Sequence, residues 1–151
     1  MLNTVLGICF RILGVSTMLI GGSNFLFGIA FTAKMFDTAL QLGGLEPSTL
    51  REFSTASVDS EFRFYSVFWF AYGALLWRTA GRLQTDFILA GWLIALFAIG
   101  GAGRVISYVA YGPPAPLFLF LTWIEIILTI LMAGAWVMLS SKGGEEPRSH
   151  S

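Results

Sequence analysis

The chain has 151 residues, 56% of them hydrophobic and only 12% charged, against about 25% charged in soluble domains; so few charges cannot cover a water-facing surface, and lipid is the expected solvent. Nine basic and nine acidic residues cancel to a formal net charge of zero, which excludes nucleic-acid binding driven by bulk charge. A lone cysteine, Cys9, and a lone histidine, His150, exclude an internal disulfide and argue against a Cys/His metal centre, so neither metal nor cofactor is expected.

Four apolar stretches follow in chain order, at about residues 5–33, 60–77, 87–111 and 117–139. Each is near or above the ~20 residues a helix needs to cross a bilayer core of about 30 Å. Backbone in hydrocarbon must satisfy its own hydrogen bonds, and period-two alternation is absent. The expected fold is therefore all-α, an integral membrane four-helix bundle forming one domain over 1–139. The first stretch has no basic residue before Arg11 and carries Phe31 where cleavage at Ala33 requires a small side chain, so it reads as a retained helix rather than a signal peptide.

The connections set the orientation. Residues 34–58 form the long outer loop, in which Lys34 to Leu42 continue the first helix along the interface and Gly43-Gly44 end it. Pro47 then suits the start of a short helix through Leu50 and Phe53. Residues 78–86 make a basic turn, residues 112–116 (Gly-Pro-Pro-Ala-Pro) a break that no helix survives, and the tail 140–151 is polar and expected to be disordered. Arg78 and Arg82 in the turn and Lys142 and Arg148 in the tail outnumber Lys34 and Arg51 of the long loop. Both termini are therefore expected in the cytoplasm of a multi-pass inner-membrane protein, with Arg11 snorkelling to the inner headgroups.

The helix faces carry two features. Gly7, Gly14, Gly21 and Gly28 repeat every seven residues along the first helix, with Phe10, Thr17, Asn24 and Phe31 completing the seam. A heptad keeps one face on a neighbour, and small residues let backbones approach in lipid. This seam packs either on the other helices or on another protein or a second copy. The second feature is charge. Arg104 lies eight residues before Gly112 and Glu125 eight after Leu117, so both sit about 12 Å below the outer helix ends. The tight turn makes their helices antiparallel neighbours, and an Arg104–Glu125 ion pair is expected because unpaired mid-helix charges are costly. Asp59 and Arg63 form an i,i+4 pair. Glu61 is placed to turn toward Arg104, Asn24 to join them, and Tyr65, Ser107 and Tyr108 to supply polar support. The group serves either as a ligand site near the outer face or as a structural ion-pair cluster.

The segment Asp59-Ser60-Glu61-Phe62-Arg63-Phe64-Tyr65, then Gly103-Arg104-Val105-Ile106-Ser107 ahead of Gly112-Pro113-Pro114-Ala115-Pro116, and finally Glu125, together resemble a bacterial membrane family catalogued as domain of unknown function 4345. The resemblance spans nearly the whole chain. It implies attention to Glu61, Arg63, Arg104 and Glu125, and it implies no activity. The leading expectation is a non-catalytic accessory or scaffold subunit of a larger membrane assembly, with membrane lipids and other subunits or self-association as partners. The alternatives are a small amphiphile-binding or transport protein and an intramembrane enzyme; no catalytic residue is assigned.

Overall fold

The computed structural model describes residues 2–44, 55–114 and 116–143. Every regular element among them is helical: α1 (Leu2–Phe27), α2 (Ile29–Leu42), α3 (Ala56–Ala80), α4 (Phe87–Tyr111) and α5 (Pro116–Gly143). Three of these, α1, α4 and α5, are long and apolar enough to cross a membrane, which marks the chain as a membrane protein. The expected short helix after Pro47 and the tail from residue 144 lie outside the described residues.

Among the described residues there are five helices where four were expected. The first predicted helix, 5–33, is interrupted at Gly28, whose φ of 82° lies in the left-handed region that glycine adopts without a Cβ clash. Beyond it α2 runs to Leu42 and ends at Gly43. In a continuous helix residues 23 and 32 would stand about 13.5 Å apart; here their hydroxyls are hydrogen-bonded at 2.9 Å. The chain therefore turns sharply and α2 folds back beside the end of α1. At the other terminus, α5 continues to Gly143, past the expected boundary at 139, because nothing in Leu139-Ser140-Ser141 breaks a helix.

The glycine seam is internal. Gly7, Gly14 and Gly21 of α1 and Gly28 at the break face Ala80, Gly73, Ser66 and Asp59 of α3 in that order. Each step is seven residues up one helix and seven down the other, so the pair is antiparallel and in register over its whole length. A Cβ on Gly14 would lie 2.8 Å from the carbonyl oxygen of Gly73 and 3.2 Å from the amide nitrogen of Trp77. One on Gly21 would lie 2.8 Å from the carbonyl oxygen of Ser66 and 2.9 Å from the amide nitrogen of Phe70. These neighbours are backbone and cannot swing away. Of the second seam row, Phe10, Thr17 and Asn24 are buried, whereas Phe31, beyond the break, is exposed.

The remaining contacts form a ring: α1 touches α3 and α5, and α4 touches α5 and α3. The hydrophobic core occupies one end of that ring, drawn from Leu6 to Leu13 of α1, Leu76 of α3, Leu83 in the turn, Ala90 to Phe97 of α4, and Met132 and Ala135 of α5. Trp136 locks this end. Its indole N–H donates to the carbonyl of Phe87 at 3.0 Å, its ring stacks on that of Phe87 at 5.1 Å, and a Cβ on Gly91 would strike it. Toward the other end the buried face of α4 stops at Gly101. The bundle is closed at the core end and splayed at the other, where α1 and α3 stay together while α4 and α5 lean away.

The seam makes a graded prediction. Gly14→Ala and Gly21→Ala should each destabilise the protein by about 1–3 kcal/mol through overpacking, read as a lowered thermal midpoint in detergent. Gly7→Ala should cost clearly less, because its nearest neighbours stand at 3.3 and 3.6 Å. Equal effects at all three positions would contradict the close approach described here.

Candidate functional site

The splayed end carries both charge pairs, and they are built differently. The first surrounds the break at Gly28. The Arg63 Nε donates to Asp59 at 2.7 Å, and its Nη1 donates to the carbonyl of Phe25 at 2.7 Å and to that of Leu26 at 3.4 Å. These are orphaned carbonyls at the end of α1, where a cation is favoured by the helix dipole. Asp59 in turn accepts a hydrogen bond from the backbone N–H of Ile29, the first residue of α2, where an anion is favoured. One pair thus caps two helix ends at once. The space for it exists because residue 28 is glycine: a Cβ there would collide with Asp59 and lie 2.8 Å from Nη2 of Arg63.

The hydrogen bond from Arg63, reinforced by its charge and by the Ile29 N–H, holds the Asp59 carboxyl below the usual carboxylate range, against the opposing effect of partial burial. Asp59 stands in the first turn of α3, ahead of the apolar run.

The second pair ties the α4–α5 hairpin together. Arg104 Nε lies 2.8 Å from Glu125, with the two side chains 30% and 14% exposed, and the guanidinium carbon sits 6.0 Å from the centre of the Phe118 ring. Arginine presents five N–H donors and a carboxylate engages two in a fork, so donors remain for another acceptor.

Beside this pair a crevice of about 510 Å³ opens between α3 and α4, within the 300–1,000 Å³ typical of small-molecule sites. Phe68, Trp69, Tyr72 and Leu75 form its α3 wall and Leu93 to Gly101 its α4 wall, with Arg104 and Glu125 the charged groups among its lining. Tyr72 ties the two walls together, its hydroxyl donating to the carbonyl of Leu93 at 2.8 Å. Above that bond the helices diverge. Gly100 and Gly101 lie in the α4 wall, and a Cβ on either would meet nothing within 4 Å. A glycine inside a helix costs about 1 kcal/mol relative to alanine. At Gly14 and Gly21 that cost secures close backbone contact; at Gly100 and Gly101 it leaves open space.

The structure does not gather every residue of the expected cluster. Glu61 is exposed on α3 and, among the described residues, is in no ion pair; an i,i+2 spacing from both Asp59 and Arg63 turns it away from their face. Asn24 is buried in α1 with its side-chain oxygen unpartnered, separated from Arg104 because α1 and α4 occupy diagonal corners of the ring. Tyr65, Ser107 and Tyr108 are exposed and do not close over the pair. The residues that the sequence reading missed as a site are Phe68, Leu96, Phe97 and Gly101. Periodicity shows them as ordinary apolar faces, and only the divergence of α3 from α4 leaves them lining a space.

With this geometry in place, comparison with known proteins adds one finding. A family model described as Domain of unknown function (DUF4345) matches residues 5–136, which takes in both ion pairs and the crevice residues. No curated protein and no solved structure matches the chain.

Two predictions follow from the charge pairs. Arg104→Met or Glu125→Met alone should destabilise by about 3 kcal/mol, since each leaves a charge without its partner. The double variant should recover much of that loss in the same thermal assay; additive losses would mean the two side chains do not interact. For the first pair the sign is set by the lowered carboxyl. Its contribution is full above the unfolded value of about 3.9 and is lost as pH falls through the lower folded value. The difference in thermal midpoint between the native chain and Asp59→Asn should therefore be constant near neutrality and shrink only in acid.

Proposed function

Because the chain belongs to the DUF4345 family, whose description supplies no reaction, we propose a function from geometry alone: the protein binds or carries a membrane amphiphile in the crevice between α3 and α4. The observation that carries this reading is an apolar crevice, unfilled by its own side chains, with an ion pair along its wall. A hydrocarbon chain would lie along Phe68, Leu75, Leu96 and Phe97 and against the bare backbone of Gly100 and Gly101. A polar head with an acceptor oxygen would take the spare donors of Arg104, while Glu125 holds that guanidinium in place.

The membrane setting is part of the proposal. Helices α1, α3, α4 and α5 cross the bilayer, as a four-span bundle in the cell's inner membrane. The support for α3, the least apolar of these, is its register with α1 from Gly7–Ala80 to Gly28–Asp59: a helix paired along the length of a spanning helix spans with it. The 14 residues from Phe64 to Trp77 carry no charge, and Arg63 and Arg78 at the two edges can snorkel. Four crossings put both termini on one side, with Arg78 and Arg82, and the basic bias assigns that side to the cytoplasm. The crevice then opens toward the outer half of the bilayer. The accessory-subunit reading loses one of its supports, since the glycine seam that suggested docking is occupied by α3.

The test fills the crevice without touching the core. Gly100→Leu/Gly101→Leu places side chains where nothing stands within 4 Å. Native mass spectrometry of the full chain from mild detergent should show a retained amphiphile, reduced at least about tenfold in this variant and also reduced in Arg104→Met. Undiminished retention in the filled variant would overturn the site. A native preparation with a stoichiometric protein subunit and no amphiphile would replace this reading with the accessory one.

A further inference from the structure

The end of the bundle remote from the crevice carries a second set of charges, which the hairpin contacts leave unused. Arg11 stands nine residues into α1, about 13 Å from its start, and is exposed. Its guanidinium carbon lies 5.9 Å from the centre of the Trp77 ring, a cation–π contact that directs the side chain along the ring toward the α3–α4 turn. There it meets Arg78 and Arg82: Arg11, Trp77, Arg78, Gly81 and Arg82 together line one depression of about 440 Å³.

The charges in this depression do not balance. Asp86 approaches Arg78 only to 3.9 Å, too far for a hydrogen bond. Arg11 and Arg82 form no ion pair among the described residues. Three arginines therefore line one depression, and among the described residues only Asp86, at a distance, pairs with any of them. Planar guanidinium forks match the oxygens of a phosphate, and arginine is the side chain suited to hold it. Two neighbouring surfaces indicate what the phosphate is attached to. On α1, Ile8, Ile12 and Val15 beside Arg11 are exposed and apolar, a path for acyl chains. On the other side Arg82 is shared with a polar depression whose lining includes Asn3, Thr4, Gln84, Thr85 and Asp86, donors and acceptors suited to headgroup hydroxyls. A free phosphate ion would use neither.

We propose that Arg11, Arg78 and Arg82 form a binding site for the phosphate of an anionic phospholipid, seated at the α3–α4 turn with its acyl chains against α1. Basic pockets between helices at the membrane surface recognise anionic headgroups in this way. The site rests on the membrane placement of the bundle and is separate from the crevice, so failure at one leaves the other standing.

The experiment places the full chain in nanodiscs of equal phosphatidylglycerol and phosphatidylcholine and reads the lipids retained on release by native mass spectrometry. Phosphatidylglycerol should be enriched about tenfold over phosphatidylcholine, with each of Arg11→Gln and Arg82→Gln reducing that enrichment about fivefold. Arg11→Gln leaves Arg78 and Arg82 to hold the topology; if it fails to fold, Arg82→Gln in the turn decides. The crevice-filling variant Gly100→Leu/Gly101→Leu should keep the enrichment, which separates this site from the other. Arg11→Lys/Arg82→Lys, which keeps the charge, should lose part of it, because the fork is gone; full retention would indicate attraction to any anionic surface and overturn a built site. Equal retention of the two lipids, or enrichment unchanged in both Gln variants, would overturn the proposal. Displacement of the lipid by excess inorganic phosphate would assign the arginines to a free anion instead.

Discussion

The architecture depends on the backbone contact between α1 and α3. In lipid the hydrophobic effect gives helices no reason to associate, so close packing has to do it. Here glycine on one helix meets glycine, serine or alanine on the other at successive seven-residue steps, and the two backbones touch. That contact makes α1 and α3 a single stiff unit. The other two long helices join it only at the core end, through the residues around Phe10, Leu93 and Met132. The crevice follows from this inequality. Two hairpins are each held along their own length, by glycines in one case and by Trp136 and Arg104–Glu125 in the other, but they are bonded to each other at one end only.

The two ion pairs illustrate how similar chemistry serves different ends. Asp59–Arg63 is local in sequence and long-range in effect: it satisfies carbonyls at the end of α1 and an amide at the start of α2, and so stabilises a sharp bend that would otherwise leave polar backbone exposed at a membrane border. Arg104–Glu125 joins neighbouring helices at matched depth and neutralises two charges that would each be costly alone. Because its guanidinium also faces the crevice, the same pair that fixes the hairpin offers donors to an occupant.

Much of the scaffold was legible in the sequence. The bounds of α4 at 87–111 coincide with its apolar stretch, because an aspartate precedes it and Gly112-Pro113 ends it. The depth match of Arg104 and Glu125 could be counted from the intervening turn, since a short turn leaves adjacent helices no choice of register. The seam on α1 was visible as four glycines. Its partner row of Asp59, Ser66, Gly73 and Ala80 on α3 has the same seven-residue spacing and was equally available, but mixed side chains hide a repeat that four identical ones display. Gly28 was read as the last member of the seam; it keeps that position and is also the break, which its letter alone does not reveal.

What the sequence determined by itself was the solvent, the helical class, the glycine seam and the depth of each charge along its own helix. These rest on composition, on local hydrogen bonding and on a rise of 1.5 Å per residue, all properties of a single segment. What only the tertiary structure decided was that α3 takes the glycine seam, that Glu61 and Asn24 stay apart from Arg104, and that α3 and α4 separate above Tyr72. Those outcomes depend on how closely one backbone can approach another and on where the close approach ends. That is a property of pairs of helices, and it appears only when they are packed.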